Sequence, residues 1–250
     1  MIDTNLYYSR WPFRRLYGDS PQELMAKLNT VGVTQAWVGS FDALLHNDLG
    51  AVNAELAAEC RRYGSGRLVP FGSVNPKLPD WKEELRRCHE THRMPGIRLH
   101  PNYHRYKLDE PEFRELLAMA AQRKLVVQIA LQMEDERTQH PLMQVPNVYI
   151  DTLPELLRGF AGLKVEILNA RTPKPEVMKA LAKAGEVYFD FAMIEGVRGL
   201  QRFAADVGLE RLLFGSYFPF FYWEAAQLKV KESALDSKPI YDGNARRLLS

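Results

Sequence analysis

The chain carries only two cysteines in 250 residues, Cys60 and Cys88, both inside segments of helical periodicity. That excludes a disulfide framework, offers no metal-binding spacing, and fits a reducing compartment. No apolar run approaches the roughly 20 residues a membrane-crossing helix needs. The opening MIDTNLYY is strand-like and lacks the basic-then-apolar order of a secretory leader. A cytoplasmic protein without a membrane partner is expected. Net charge is also nearly absent, at +2, with no concentrated basic face, which argues against nucleic acid as a partner. Three signatures are missing as well. No G-x-G-x-x-G follows a strand, no H-E-x-x-H lies on a helix, and no G-x-S-x-G nucleophile elbow occurs.

What is there suffices for a large core, since 46% of residues are hydrophobic and 26% charged. Eight short apolar runs alternate with helical-period segments: MIDTNLY, TQAWVGS, RLVPFGSVN, GIRLHP, LVVQIALQ, LKVEILNA, EVYFDFA and RLLFGSY. Between them lie amphipathic stretches such as PQELMAKLNTVG and DEPEFRELLAMAAQRK, which open at capping residues or proline. Strand-helix alternation implies parallel crossovers. Eight units in about 250 residues match an α/β fold of the (β/α)₈ TIM-barrel type. No linker or composition shift divides the chain, so one domain over residues 1–250 is expected. An open doubly wound sheet is the competitor. Gly-Ser ends three of the runs, at Gly39-Ser40, Gly72-Ser73 and Gly215-Ser216. Small residues there let the chain turn away from a crowded barrel mouth.

Chemistry in such a barrel gathers at the carboxyl ends of the strands. The side chains there are Asn5, Tyr7, Arg98, His100, Gln132, Asn169, Arg171, Asp190 and Tyr217. Strand alternation puts Arg98 and His100 on one face, where guanidinium and imidazole suit a carboxylate or phosphate. The polar stretch MEDERTQHP, residues 133–141, can fold Arg137 and His140 over the mouth as a ligand clamp. Its alternative is a solvated loop. Aromatics flank the first and last runs, Tyr7, Tyr8, Trp11 and Phe13 on one side and Phe218 to Trp223 on the other. They suit a stacking wall for a ligand or an oligomer contact, such as a homodimer.

These pieces resemble the amidohydrolase-related branch of the metal-dependent amidohydrolase superfamily over nearly the whole chain. The matching segments are MIDTNLY, RLVPFGSVNP, GIRLHP, LKVEILNA, LLFGSYFP and PIYDGNARRLL. The resemblance implies a (β/α)₈ barrel and a divalent metal bound through an Asp-x-His-x-His opening. Here that frame reads Asp3-Thr4-Asn5-Leu6-Tyr7, so neither histidine is present. The later ligand positions fall on Ala130 or Gln132, on Asn169, and on Tyr217 in place of an aspartate. Neutral groups there are weak donors, so no metal and no other cofactor is expected.

Two functions remain open. One is a metal-free hydrolase or lyase acting on a small anionic, carboxylate-bearing molecule. Arg98 would hold the carboxylate, with Arg137 and His140 at the rim. His100 or Asp190 would move a proton, and Tyr7, Asn5 and Asn169 would donate hydrogen bonds. The other is a non-catalytic relative that senses a small molecule or assembles with a partner. A metal held by His100, His104 and His140 is a third reading, disfavoured by Pro101. Tyr217 either donates to a ligand or fills vacated volume, with its ring on Tyr7 and its hydroxyl on Asn5 or Asn169.

Overall fold

The computed structural model describes residues 1–171 and 173–250. Seven parallel strands form one curled sheet in chain order. They are β1 Ile2–Tyr8, β2 Gln35–Ser40, β3 Leu68–Gly72, β4 Gly96–Leu99, β5 Val126–Ala130, β6 Lys164–Leu168 and β7 Glu186–Phe189. Helices α1 Pro21–Val31, α2 Leu49–Gly64, α3 Trp81–Glu90, α4 Pro111–Gln122, α5 Leu153–Arg158 and α6 Pro175–Ala182 separate the strands. Helices α7 Gly199–Val207, α8 Trp223–Glu232 and α9 Asn244–Leu249 complete the chain.

Local chemistry explains the elements. Ser20 accepts from the Glu23 amide, Pro21 opens α1, and Gly32 ends it at φ +72°. Leu24 and Leu28 then fall on the buried face. β5 is buried at every position, as expected of a parallel strand covered on both sides. The helices pack on the outside of the sheet through a shell of leucine, valine and phenylalanine.

The interior is polar where the sequence looks apolar. Arg98, Gln128 and Glu166 are register partners on β4, β5 and β6. Arg98 is fully buried, with Nε donating to Gln128 Oε1 at 2.8 Å. Its Nη groups reach the carbonyls of Leu6 at 2.6 Å, Thr4 at 3.0 Å and Trp37 at 3.2 Å. Gln128 donates to Glu166 at 2.6 Å, and Thr4 Oγ1 donates to Glu166 at 2.5 Å. This belt ties β1, β2, β4, β5 and β6 together across the inside of the sheet. Two glycines make room for the interior side chains. A Cβ on Gly39 would stand 2.8 Å from Arg98 Cδ, and one on Gly215 would stand 2.8 Å from Asp190 Cβ.

The structure has seven strands where eight were expected. Over 212–218 only isolated bridges form, Leu212 with Phe189 and Phe218 with Leu6. Backbone bonds nevertheless reach both neighbours: Leu213 N to Phe189 O at 2.9 Å, Thr4 N to Phe214 O at 2.8 Å, and Tyr217 N to Asn5 O at 2.8 Å. Gly215 and a left-handed Tyr217, at φ +58°, interrupt the regular ladder, and Pro219 has no amide to continue it.

Candidate functional site

Six of the singled-out residues converge at the carboxyl ends of the strands and are 0–1% exposed: Asn5, Tyr7, His100, Asn169, Asp190 and Tyr217. Asn5, on β1, donates through Nδ2 to Asp190 Oδ2 at 2.5 Å and to Asn169 Oδ1 at 2.8 Å. The Asn169 amide donates to Asp190 Oδ1 at 2.9 Å, and Asn169 Nδ2 reaches the Gln132 carbonyl at 2.9 Å. Asn169 holds φ +60°, a conformation asparagine tolerates better than most residues. Tyr7 Oη lies 3.0 Å from His100 Nε2, and His100 Nδ1 lies 3.5 Å from Ser73 Oγ. The groups bond one another except at Asn5 Oδ1, which is buried without a partner.

The proposed anion-binding residues do not assemble. Arg98 is committed to the interior belt, with the Tyr7 ring 4.6 Å from its guanidinium carbon. Arg137 is exposed and pairs with Asp135 at 2.5 Å, where Arg171 also binds. His140 is exposed and stacks on Phe13 at 6.0 Å between ring centroids. Gln132 donates to Met193 Sδ at 2.9 Å. Arg98 and Arg137 thus belong to separate networks.

Tyr217 answers part of the question its position raises. Its ring meets Tyr7 edge-on at 5.7 Å and stacks on Phe220 at 5.1 Å. Its hydroxyl donates to the Met133 carbonyl, not to Asn5 or Asn169. Around this pair Tyr7 stacks on Phe41 at 4.7 Å, and Trp11 meets Phe41 at 5.4 Å and Phe220 at 4.8 Å. The aromatics that flank the first and last strands thereby form a plug over the mouth, while Phe13 and Tyr222 stay exposed. Tyr217→Phe is expected to cost about 1–3 kcal/mol, because the Met133 carbonyl loses its donor in a dry setting. Denaturant melts check this, and a loss below about 0.5 kcal/mol would mean the hydroxyl is not holding the plug.

Burial dominates the electrostatics. It pushes the Tyr7 phenol up to about 12 and holds His100 well below the usual imidazole range, helped by His104 and Arg98. Burial also raises Asp190 to about 6, against donation from Asn5 and the Asn169 amide. Asp3, behind the site, rises to about 7 by burial, although Ser216, Asn5 and Trp223 donate to it. Around neutrality His100 and Tyr7 are therefore both uncharged, and Asp190 is the ionised group of the mouth.

A cavity of about 1050 Å³ lies beside the mouth, between segments 101–110 and 142–149, and none of the six lines it. Asn169 borders a smaller one of about 170 Å³. Sequence reasoning missed Phe41 and Gln128, and it offered Trp11 and Phe220 as a ligand wall or an oligomer contact instead of a plug. The signal for Gln128 was present, as a polar residue between apolar neighbours in VQI.

Residues 14–250 match the Amidohydrolase family, Amidohydro_2. The matched span begins after β1, the strand that holds Asn5 and Tyr7. The fold is also that of solved structures of low identity. A 2,6-dihydroxybenzoate decarboxylase from Rhizobium is similar with a TM-score of 0.72 at 13% identity, covering 99% of this chain and 98% of that one. A dihydroxybenzoic acid decarboxylase from Polaromonas sp. JS666, with bound manganese and 2-nitroresorcinol, gives 0.75 at 13% identity, covering 99% and 96%. A 5-carboxyvanillate decarboxylase from Novosphingobium aromaticivorans, also with bound manganese, gives 0.69 at 16% identity, again covering 99% and 96%. No protein of curated function matches the chain. No helix among the described residues is long and apolar enough to cross a membrane. With nearly its whole length matched and its parallel strand-helix order shared with these enzymes, the chain belongs to the amidohydrolase family.

Proposed function

We propose that this chain is a small-molecule binding protein on the amidohydrolase fold, whose barrel centre has become structure instead of a metal-dependent reaction site. The observation that carries the reading is the hydrogen-bonded set of Asn5, Asn169 and Asp190 beside the Tyr7–His100 contact, under an aromatic plug. A catalytic divalent ion takes about three protein ligands from imidazole, carboxylate or thiolate. Asparagine and tyrosine occupy the positions that the family resemblance assigns to ligands. Among the described residues no three histidine, cysteine, aspartate or glutamate side chains converge. Asn5 Nδ2 donates to Asp190 and Asn169 and leaves Asn5 Oδ1 unpartnered, so the centre offers one carboxylate and neutral amide oxygens; that set does not fit a catalytic metal, and no step is routed through one.

Segment 212–218 then acts as the eighth stave of one closed barrel domain spanning residues 1–250, supported by its backbone bonds to both β7 and β1. Two free, buried cysteines favour a reducing, cytoplasmic setting. The small carboxylates named with the neighbours, 2,6-dihydroxybenzoate among them, make an organic anion the ligand class to try first.

A second reading, a metal-free lyase, rests on the Tyr7–His100 contact at 3.0 Å. A neutral imidazole and a neutral phenol at that distance can relay a proton to a carboxylate substrate, with Asp190 behind them, once the plug is displaced. One experiment addresses both readings: metal analysis of the native protein, followed by decarboxylation assays on 2,6-dihydroxybenzoate with and without added manganese. The binding-protein reading expects metal far below one ion per chain and no turnover in either assay. Turnover that needs manganese would overturn it. Metal-independent turnover that is lost in Tyr7→Phe would establish the lyase.

A further inference from the structure

The segment after β5 lies as a strap across the end of that strand, fixed at both ends and stiff in its middle. Asp135 pairs with Arg171 at 2.5 Å before it, and Asp151 pairs with Lys174 at 2.6 Å after it. Between these anchors, residues 136–150 contain one short helical turn, Glu136–Thr138, and no other regular element. The Gln139 side chain grips both backbone groups of Val145, accepting from its amide at 2.7 Å and donating to its carbonyl at 3.0 Å. Asn147 Nδ2 donates to Glu136 Oε1 at 3.2 Å. These bonds tie the strap to itself.

Its hold on the barrel is slight. Among the described residues one main-chain bond joins it to a strand end, from the Val148 amide to the Leu131 carbonyl at 3.0 Å. Asn102 Nδ2 adds a bond to the Pro146 carbonyl at 3.1 Å. Val145 is buried, and Val148 and Ile150 pack half-buried on the core, whereas Leu142 and Tyr149 are 91% and 66% exposed. The stack of His140 on Phe13 joins two exposed rings. Few main-chain bonds and little buried apolar surface mark a segment that opens well below the free energy of global unfolding. A cavity lies on either side of it. Asn147, Val148 and Tyr149 border both the cavity of about 1050 Å³ and the one of about 170 Å³, whose lining includes Leu131 and Gln132.

We propose that residues 136–150 are a lid that lifts as one body, breaking the Val148–Leu131 and Asn102–Pro146 bonds while keeping its own. Lifting joins the two cavities into one cleft along the edge of the mouth. It uncovers Leu131 and Gln132, which are 7% and 6% exposed while the lid is down. Leu142 and Tyr149 border the larger cavity and carry the apolar surface that closes over an occupant. The inference concerns access at the rim, so it stands whichever reading of the barrel centre holds.

The test is amide hydrogen exchange read residue by residue by NMR, with Val127 and Ile129 in the middle of β5 as the internal reference. In the wild type the Val148 amide is expected to exchange about a hundredfold or more faster than those two. Asn102→Ala removes one of the two tethers and should speed Val148 by a further factor of about five. The same variant should leave β5 unchanged, and Val145 too, since that amide stays bonded to Gln139 when the strap lifts. Val148 exchanging as slowly as β5 in the wild type makes the strap part of the barrel's cooperative unit and overturns the lid. So does an Asn102→Ala variant in which Val148 keeps its wild-type rate, or in which β5 speeds up alongside it. Val145 and Val148 accelerating together would mean that the strap frays, which overturns its lifting as one body.

Discussion

Arg98→Ala is expected to lower the unfolding free energy by about 3–5 kcal/mol, since several buried acceptors lose a charged donor at about 1–3 kcal/mol each. The guanidinium satisfies the carbonyls of Thr4, Leu6 and Trp37 and the side chain of Gln128, all inside the barrel. Alanine leaves those acceptors dry and unpaired, and opens a void under Tyr7, whose ring now packs against the guanidinium. Arg98→Lys should rescue little, because an ammonium cannot span acceptors on β1, β2 and β5 as the planar fork does. Equilibrium unfolding in guanidinium chloride reads the difference directly. A loss under about 1 kcal/mol would mean the belt is not structural. The sequence-based idea of Arg98 as an anion receptor would then be open again.

That idea shows where sequence and structure part. Alternation within GIRLHP correctly places Arg98 and His100 on the inner side of β4. It does not say how far down the barrel each side chain reaches, since depth depends on the register of neighbouring strands. In the structure Arg98 is level with Gln128 and Glu166, whereas His100 lies past the end of β4, beside Tyr7. The strand and helix alternation was legible because the helical segments have a clear period and several open at a cap or proline, Ser20 and Asp48 before α1 and α2 and Pro111 and Pro175 in α4 and α6. The eighth strand was less so. Its apolar run RLLFG is real, but Gly215 and the left-handed Tyr217 convert the end of it into an irregular segment that bonds to both neighbours.

The site was legible as a set of positions and not as a network. The resemblance marked positions 5, 169 and 217 as carrying Asn5, Asn169 and Tyr217 in place of ligands, and Asn5, Asn169 and Asp190 do bond one another. The partner of the Tyr217 hydroxyl was not readable. It is a backbone carbonyl, at Met133, and carbonyls carry no sequence signature. Trp11 and Phe220 escaped for a related reason. Loop aromatics read equally as exposed contacts or as a plug until the loops that carry them are placed.

Stability is expected to fall by on the order of 3 kcal/mol between pH 6.5 and 8, since each unit of pKa displacement carries about 1.4 kcal/mol. Burial raises Asp190 to about 6, Asp3 to about 7 and Glu166 to about 8, all above their unfolded values. A raised carboxyl stabilises the fold fully below its unfolded pKa and loses that contribution as pH climbs through the folded one. Below about 6.5 the buried histidines oppose the trend. His100 and His104 are held below their ordinary value, so the unfolded chain binds protons that the fold refuses. Above that point Asp3 and Glu166 account for most of the protons lost on the way to pH 8, and stability should drop. Glu166 is faced by Thr4 Oγ1, Gln128, Arg98 and Asp190, so Arg98 pulls its pKa down while burial and Asp190 push it up. Glu166→Gln separates these effects. An amide copies the protonated acid, accepting from Gln128 and donating to Thr4 Oγ1, which can pass its own proton to the Phe214 carbonyl at 3.3 Å. The variant should match the wild type near pH 6 and lose most of the decline between pH 7 and 8. If the wild type is flat across that window, or Glu166→Gln declines just as steeply, Glu166 is already the ionised partner of Arg98.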